Sequence, residues 1–158
     1  MIWVVFRHGE KSLEGFDPEL STRGQDQAQK ILLKVKSGAL PKPSALYVST
    51  KKRSAQTFQP LSESLNLKAH IRADITERVP GETRDKFRRR IQEFLIKLML
   101  EHKDNEVVYV CTHSDWIDEF LTMIECDADL TRCHYWPSAQ HMVFDKKEIW
   151  HLLKYEGI

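Results

Sequence analysis

"MIWVVFRHGEKS", residues 1–12, opens on five consecutive bulky apolar side chains, Ile2 to Phe6, and then turns at once to Arg7, His8 and Gly9. A strand with no polar face belongs in a sheet covered on both sides, the setting of parallel strands in α/β proteins. Its carboxyl end therefore carries Arg7 and His8. In open α/β sheets that end faces the ligand crevice, so chemistry is expected there.

Working outward, Gly15, Pro18 and Gly24 mark a loop that feeds a helix over residues 22–37, where Ala28, Ile31, Leu32 and Val35 repeat at helical spacing. Ala45 to Ser49 is a second short strand, ending in Thr50, Lys51, Lys52 and Arg53. A helix through Ala55, Phe58, Leu61 and Leu65 follows, with Pro60 expected to interrupt or kink it unless the chain starts a new turn there. "LKAHIRAD" (67–74) is a third strand, and residues 82–102 form the clearest helix, with Phe87, Ile91, Phe94, Leu95 and Leu98 in one stripe. "EVVYVCTHSD" (106–115) is a fourth strand ending at Thr112 and His113, with a short helix in "WIDEFLTMI" behind it. "AQHMVFD" and "EIWHLLKY" read as two strands joined by a tight turn near Lys146 and Lys147.

This alternation predicts an α/β fold: a three-layer α/β/α sandwich with a mainly parallel central sheet and an antiparallel edge strand, one domain spanning residues 1–158. Right-handed crossovers keep parallel carboxyl ends on one rim, so Arg7, His8, Arg53 and His113 should gather there. Twenty-four basic residues against 23 acidic ones exclude a global field for nucleic acid or an anionic membrane, so anion selectivity must be local. No stretch approaches the roughly 20 apolar residues of a membrane span, and the first apolar run is too short for a signal peptide, which gives a cytoplasmic expectation. Cys111, Cys126 and Cys133 match no redox or zinc spacing.

Two arginines and two histidines make a small cationic pocket suited to a phosphoryl group. A neutral imidazole held there is a nucleophile, and flanking guanidiniums disfavour its protonated form. Taken alone, each residue has an ordinary reading: a hydrogen-bonded His8, a solvated Arg53, a capping His113. Agreement among three strand ends favours a site.

The motifs "FRHGEK", "LSTRGQDQAQ", "YVSTKKRSAQTF", "ITERVPGE" and "VYVCTHSDWID" resemble, in order, those of the histidine phosphatase (phosphoglycerate mutase-like) superfamily. The resemblance implies that His8 is the phosphorylated nucleophile, that Arg7 and Arg53 bind phosphate, and that His113 contacts the phosphoryl oxygens. It implies Glu77 as proton donor. Glu82, on the same loop, and Asp115, two residues beyond His113, are alternative acids, although Asp115 departs from the family pattern, whose other branch has its acid where Ser114 stands here. No metal and no cofactor are expected. In length the chain is similar to short bacterial phosphatases acting on protein phosphohistidine, so the expected partner is a phosphorylated small molecule or a phosphoprotein. A phosphoglycerate mutase-like phosphotransferase and a catalytically silent phosphate or phosphopeptide binder are the alternatives. Trp116, Tyr135, Trp136 and His134 are candidates for the rim of the site or for packing. Arg88, Arg89 and Arg90 in "KFRRRIQ" read as the solvated side of a helix rather than a nucleic-acid surface.

Overall fold

The computed structural model describes all 158 residues. Its strands are β1 (Ile2–Arg7), β2 (Ala45–Ser49), β3 (Ala69–Arg72), β4 (Val107–Thr112), β5 (His141–Lys146) and β6 (Trp150–Glu156). Its α-helices are α1 (Thr22–Lys36), α2 (Lys52–Leu65), α3 (Arg84–Glu101) and α4 (Ser114–Leu121). All six strands join one sheet in the order β3-β2-β4-β1-β5-β6. The pairs β1/β4, β4/β2 and β2/β3 are parallel, whereas β5 lies antiparallel to β1 and β6 antiparallel to β5.

The first strand lies inside the sheet, with Val4 opposite Tyr109 on one side and Val143 on the other. Trp3, Val4, Val5 and Phe6 are all essentially without solvent contact. Alternation along the strand divides them between two cores. Trp3 and Val5 join Tyr47, Val108, Val110 and Phe144 beneath α3 and α4, where Phe94, Trp116 and Phe120 pack. Val4 and Phe6 join Leu46, Val48, Tyr109 and Cys111 beneath α1 and α2, where Ile31, Phe58 and Leu61 pack. Three layers follow from a period of two in the strands and an apolar stripe on each helix. Edge-on aromatic pairs such as Trp3 with Trp150, centroids 5.0 Å apart, lock the first of these cores.

Two local expectations are corrected. Pro60 does not interrupt α2, which runs unbroken from Lys52 to Leu65. A mid-helix proline costs about 3 kcal/mol or more, and complete burial of Phe58 and Leu61 on either side offsets it, at about 1.5–3 kcal/mol per side chain. In the arginine run of α3, only Arg89 is fully solvated. Arg88 bonds Glu119, and Arg90 turns back onto Glu82 and the chain before it.

Helix α1 begins at Ser21, whose side chain accepts from the Gly24 amide at 3.1 Å and donates to the Glu10 carboxylate at 2.8 Å. The loop after β1 is thereby laid across the first turn of α1. A side chain at Gly24 would place its Cβ 2.1 Å from the Glu10 carbonyl oxygen. Gly24→Ala is therefore expected to lower the unfolding free energy by an amount at or above the top of the ~1–3 kcal/mol overpacking range, seen as a lower urea midpoint, and to lower activity by displacing the loop behind His8. Equilibrium unfolding beside a kinetic assay checks both.

Candidate active site

The carboxyl ends of β1, β2 and β4 share one rim, and the segments leaving them carry the side chains in question. The His8 amide donates to the Thr112 carbonyl at 3.0 Å, and its own carbonyl accepts from Ala139 at 3.1 Å. The next residue is fixed as well, because the Gly9 amide donates to Thr57 Oγ1 on α2 at 2.9 Å. His8 thus sits on backbone anchored to the fourth strand, the second helix and the turn before β5.

The ring of His8 has a defined tautomer. Nδ1 is 2.7 Å from the Gly9 carbonyl oxygen, which only accepts, so Nδ1 carries the proton. Nε2 consequently presents a lone pair, and Arg53 Nε donates to it at 3.1 Å. Burial, ahead of the charges of Arg53 and Arg7, depresses the pKa of His8 from 6.5 to about 4. The guanidiniums contribute, yet desolvation is the larger cause of neutrality.

Arg53, in the first turn of α2, lies in the middle of the cluster with its side chain only 4% exposed. Its Nη2 is 2.5 Å from Glu77 Oε2 and 3.3 Å from His113 Nδ1, while Nη1 is 3.6 Å from Asp17 Oδ1. His113 caps α4 with its backbone; its Nε2 is 2.8 Å from Ser49 Oγ, and its Nδ1 is also 3.3 Å from Glu77 Oε2. Burial first, then His8 and Arg53, lower the His113 pKa to about 2. The two imidazole centroids are 5.1 Å apart. Arg7 donates from Nη1 to the Trp136 carbonyl, and its buried Nε has no partner within the protein.

Four dispersed residues, Arg7, His8, Arg53 and His113, therefore meet at one rim, and Glu77 joins them. The other two carboxylates are engaged elsewhere. Glu82 takes both Nε and Nη2 of Arg90, at 3.0 and 2.8 Å, and that contact holds its carboxyl below the usual range. Asp115 accepts from the backbone amides of Arg78 and Trp116, each at 2.8 Å, joining the start of α4 to the loop after β3. Trp116 is core and Trp136 is buried, its indole donating to the Cys133 carbonyl at 2.9 Å; Tyr135 is 71% exposed and His134 is exposed.

Sequence reasoning missed several partners. Lys51 Nζ lies 3.4 Å from Glu77 Oε1, Ser49 holds His113, and Asp17 faces Arg53. Lys51 and Ser49 adjoin the β2 end already singled out, so proximity along the chain was the available signal. Asp17, in the long loop before α1, had none. No group of three or more His, Cys, Asp or Glu converges in a way that could hold a metal ion, and no helix is long and apolar enough to cross a membrane.

An α/β sandwich whose parallel strands deliver two histidines and two arginines to a single rim is built to receive an anion. The chain belongs to the histidine phosphatase superfamily, branch 1, whose model matches residues 3–83, just over half of it. Among solved structures it is similar to the protein histidine phosphatase SixA complexed with tungstate, at 18% identity and a TM-score of 0.77, covering 99% of this chain and 97% of that one. It is also similar to phosphoserine phosphatase from Entamoeba histolytica in complex with 3-phosphoglyceric acid, at 15% identity and TM-score 0.74, covering 99% and 97% of the two chains. Mycobacterial glucosyl-3-phosphoglycerate phosphatase aligns at 14% identity and TM-score 0.73 over 99% of each chain. At such identities the likeness is one of fold. No curated protein sequence matches the chain.

The depressed histidines give a test of the site's electrostatics. His8, His113 and the buried His141 all bind protons more weakly when folded than at 6.5, His141 through burial first and then Lys34. The unfolded chain therefore takes up more protons as pH falls from about 6.5 toward 4, and stability must fall with it. The urea midpoint is expected to drop steadily over that window, and His8→Gln or His141→Gln should each flatten the slope by about one proton. A midpoint indifferent to pH there would mean that these rings are not held neutral.

Proposed function

We propose that the protein is a metal-independent phosphatase that hydrolyses a phosphomonoester or a protein phosphohistidine through a phosphohistidine intermediate on His8. The observation that carries this is the tautomer of His8: with the Nδ1 proton committed to the Gly9 carbonyl, Nε2 carries the lone pair, which here accepts from Arg53 Nε. Arg7, Arg53 and His113 receive the phosphoryl group, and the unpartnered Nε of Arg7 is one donor for its oxygens. Fixed cations there stabilise the charge of the transferring group without reorganising.

Nε2 attacks phosphorus in line and a new N–P bond forms as the substrate's bond to phosphorus breaks: in an ester the P–O bond, whose leaving oxygen takes a proton from Glu77, and in a phosphohistidine the substrate's own N–P bond, whose ring nitrogen leaves. Water then attacks phosphorus, the N–P bond breaks, and the proton lost by water returns to Glu77. In the free site Glu77 pairs with Arg53 and Lys51. Glu77 in the cluster favours an ester, because a phosphohistidine leaving group needs less acid assistance. Tungstate in SixA and 3-phosphoglyceric acid in the Entamoeba histolytica phosphatase support a tetrahedral oxyanion as the ligand.

Incubation of wild type, His8→Ala and Glu77→Gln with phosphoproteins and small phosphate esters, followed by trapping of acid-labile phosphoenzyme, tests the reading. Label is expected on wild type and Glu77→Gln and on no His8→Ala sample, with inorganic phosphate released by wild type. Label persisting in His8→Ala overturns the nucleophile. Transfer of label to an acceptor in place of water points to a phosphotransferase, and neither label nor phosphate release points to a silent binder.

A further inference from the structure

Glu77 lies on a segment with no sheet or helix of its own: after the short turn Ala73–Ile75 the chain runs irregularly to Thr83. Buried or half-buried carbonyls in such a segment need donors from elsewhere. Here five in succession are met by side chains. Thr112 Oγ1 donates to the Ile75 carbonyl at 2.6 Å and Trp116 Nε1 to that of Asp74 at 3.0 Å. The rest falls to Arg90 on α3. Its Nη1 donates to the carbonyls of Ala73, Asp74 and Thr76 at 3.2, 3.1 and 2.7 Å, and its Nη2 to that of Glu77 at 3.3 Å.

The far side of the same guanidinium is fixed by the Glu82 carboxylate through Nε and Nη2, and its Cζ lies 4.8 Å from the Phe87 ring centroid. Glu82 also accepts from the Val79 amide at 3.2 Å, and its carbonyl accepts from Arg78 Nε at 2.8 Å, so both ends of the 77–82 loop close on one arginine. A lysine has three donors on a single nitrogen and cannot span acceptors spread over five residues.

The geometry points to Arg90 as the positioning residue that aims the Glu77 carboxylate at the leaving oxygen. It touches neither substrate nor reacting atoms; it fixes the backbone from which Glu77 reaches Arg53 and His113. This rests on Glu77 being the proton donor. A side chain that merely stabilised the fold would, when lost, slow all substrates alike. One that aims an acid matters most where the leaving group is poor.

The readout is the ratio of kcat/KM for p-nitrophenyl phosphate to that for an alkyl phosphate, measured alongside circular dichroism and thermal midpoints. Removing a general acid costs about 10² or more where its proton is needed, so Glu77→Gln is expected to raise the ratio by about that factor. Arg90→Met should raise it by roughly 10-fold, with Arg90→Lys between it and wild type, and Arg90→Met/Glu77→Gln no further than Glu77→Gln alone. If Arg90→Met does not fold, Arg90→Lys and Glu82→Gln give the same readout. Folded Arg90 and Glu82 variants with lowered activity but an unchanged ratio overturn the positioning role while Glu77 stands. An unchanged ratio in Glu77→Gln removes the acid itself, and the positioning role with it.

Discussion

Arg53 is buried at the first turn of α2, and around its guanidinium the other groups of the site take their places: the His8 lone pair at Nε, Glu77 and His113 at Nη2, Asp17 at Nη1. Placing a cation there is costly unless acceptors surround it. Two carboxylates and two unprotonated rings meet that need, and they come from four different segments of the chain. The same desolvation that makes Arg53 demanding keeps His8 and His113 neutral. The neutral rings and the buried guanidinium are thus two aspects of one electrostatic arrangement.

That arrangement depends on the sheet. Parallel strands bring the ends of β1, β2 and β4 to the same rim, and the close approach of Gly24 to the Glu10 backbone sets the loop that follows His8. The antiparallel hairpin contributes as well: the turn before β5 supplies the Gln140 carbonyl to the Arg7 amide and the Trp136 carbonyl to its side chain.

Much of this was legible in the residues. The apolar run of β1 announced a strand buried on two faces, the stripe on α3 announced its packing side, and strand ends named Arg7, His8, Arg53 and His113. What escaped notice has physical causes. Periodicity carries no sign of where a long loop folds back, so the engagement of Asp17 with Arg53 was invisible. Charge suggested solvent for Arg90, because nothing local shows that a neighbouring irregular segment will need donors. Pro60 looked like a breaker since the local rule weighs a lost hydrogen bond, while tertiary burial of Phe58 and Leu61 decided the outcome. Glu82 and Asp115 had the right chemistry and nearby positions, and only folding revealed that Arg90 and two backbone amides occupy them.

The place of β1 between β4 and β5 has a consequence for how the molecule is made. Residues 2–7 find their sheet partners only in segments roughly a hundred or more positions later, at 107–112 and 141–145. During synthesis an intensely apolar ribbon emerges early and waits for its ladder partners until most of the remaining chain has left the ribosome. Contacts between α1 and α2 can form meanwhile, but His8 acquires its surroundings late. Nascent chains of this protein should thus depend on holding chaperones, and should be catalytically inert, until the closing hairpin docks.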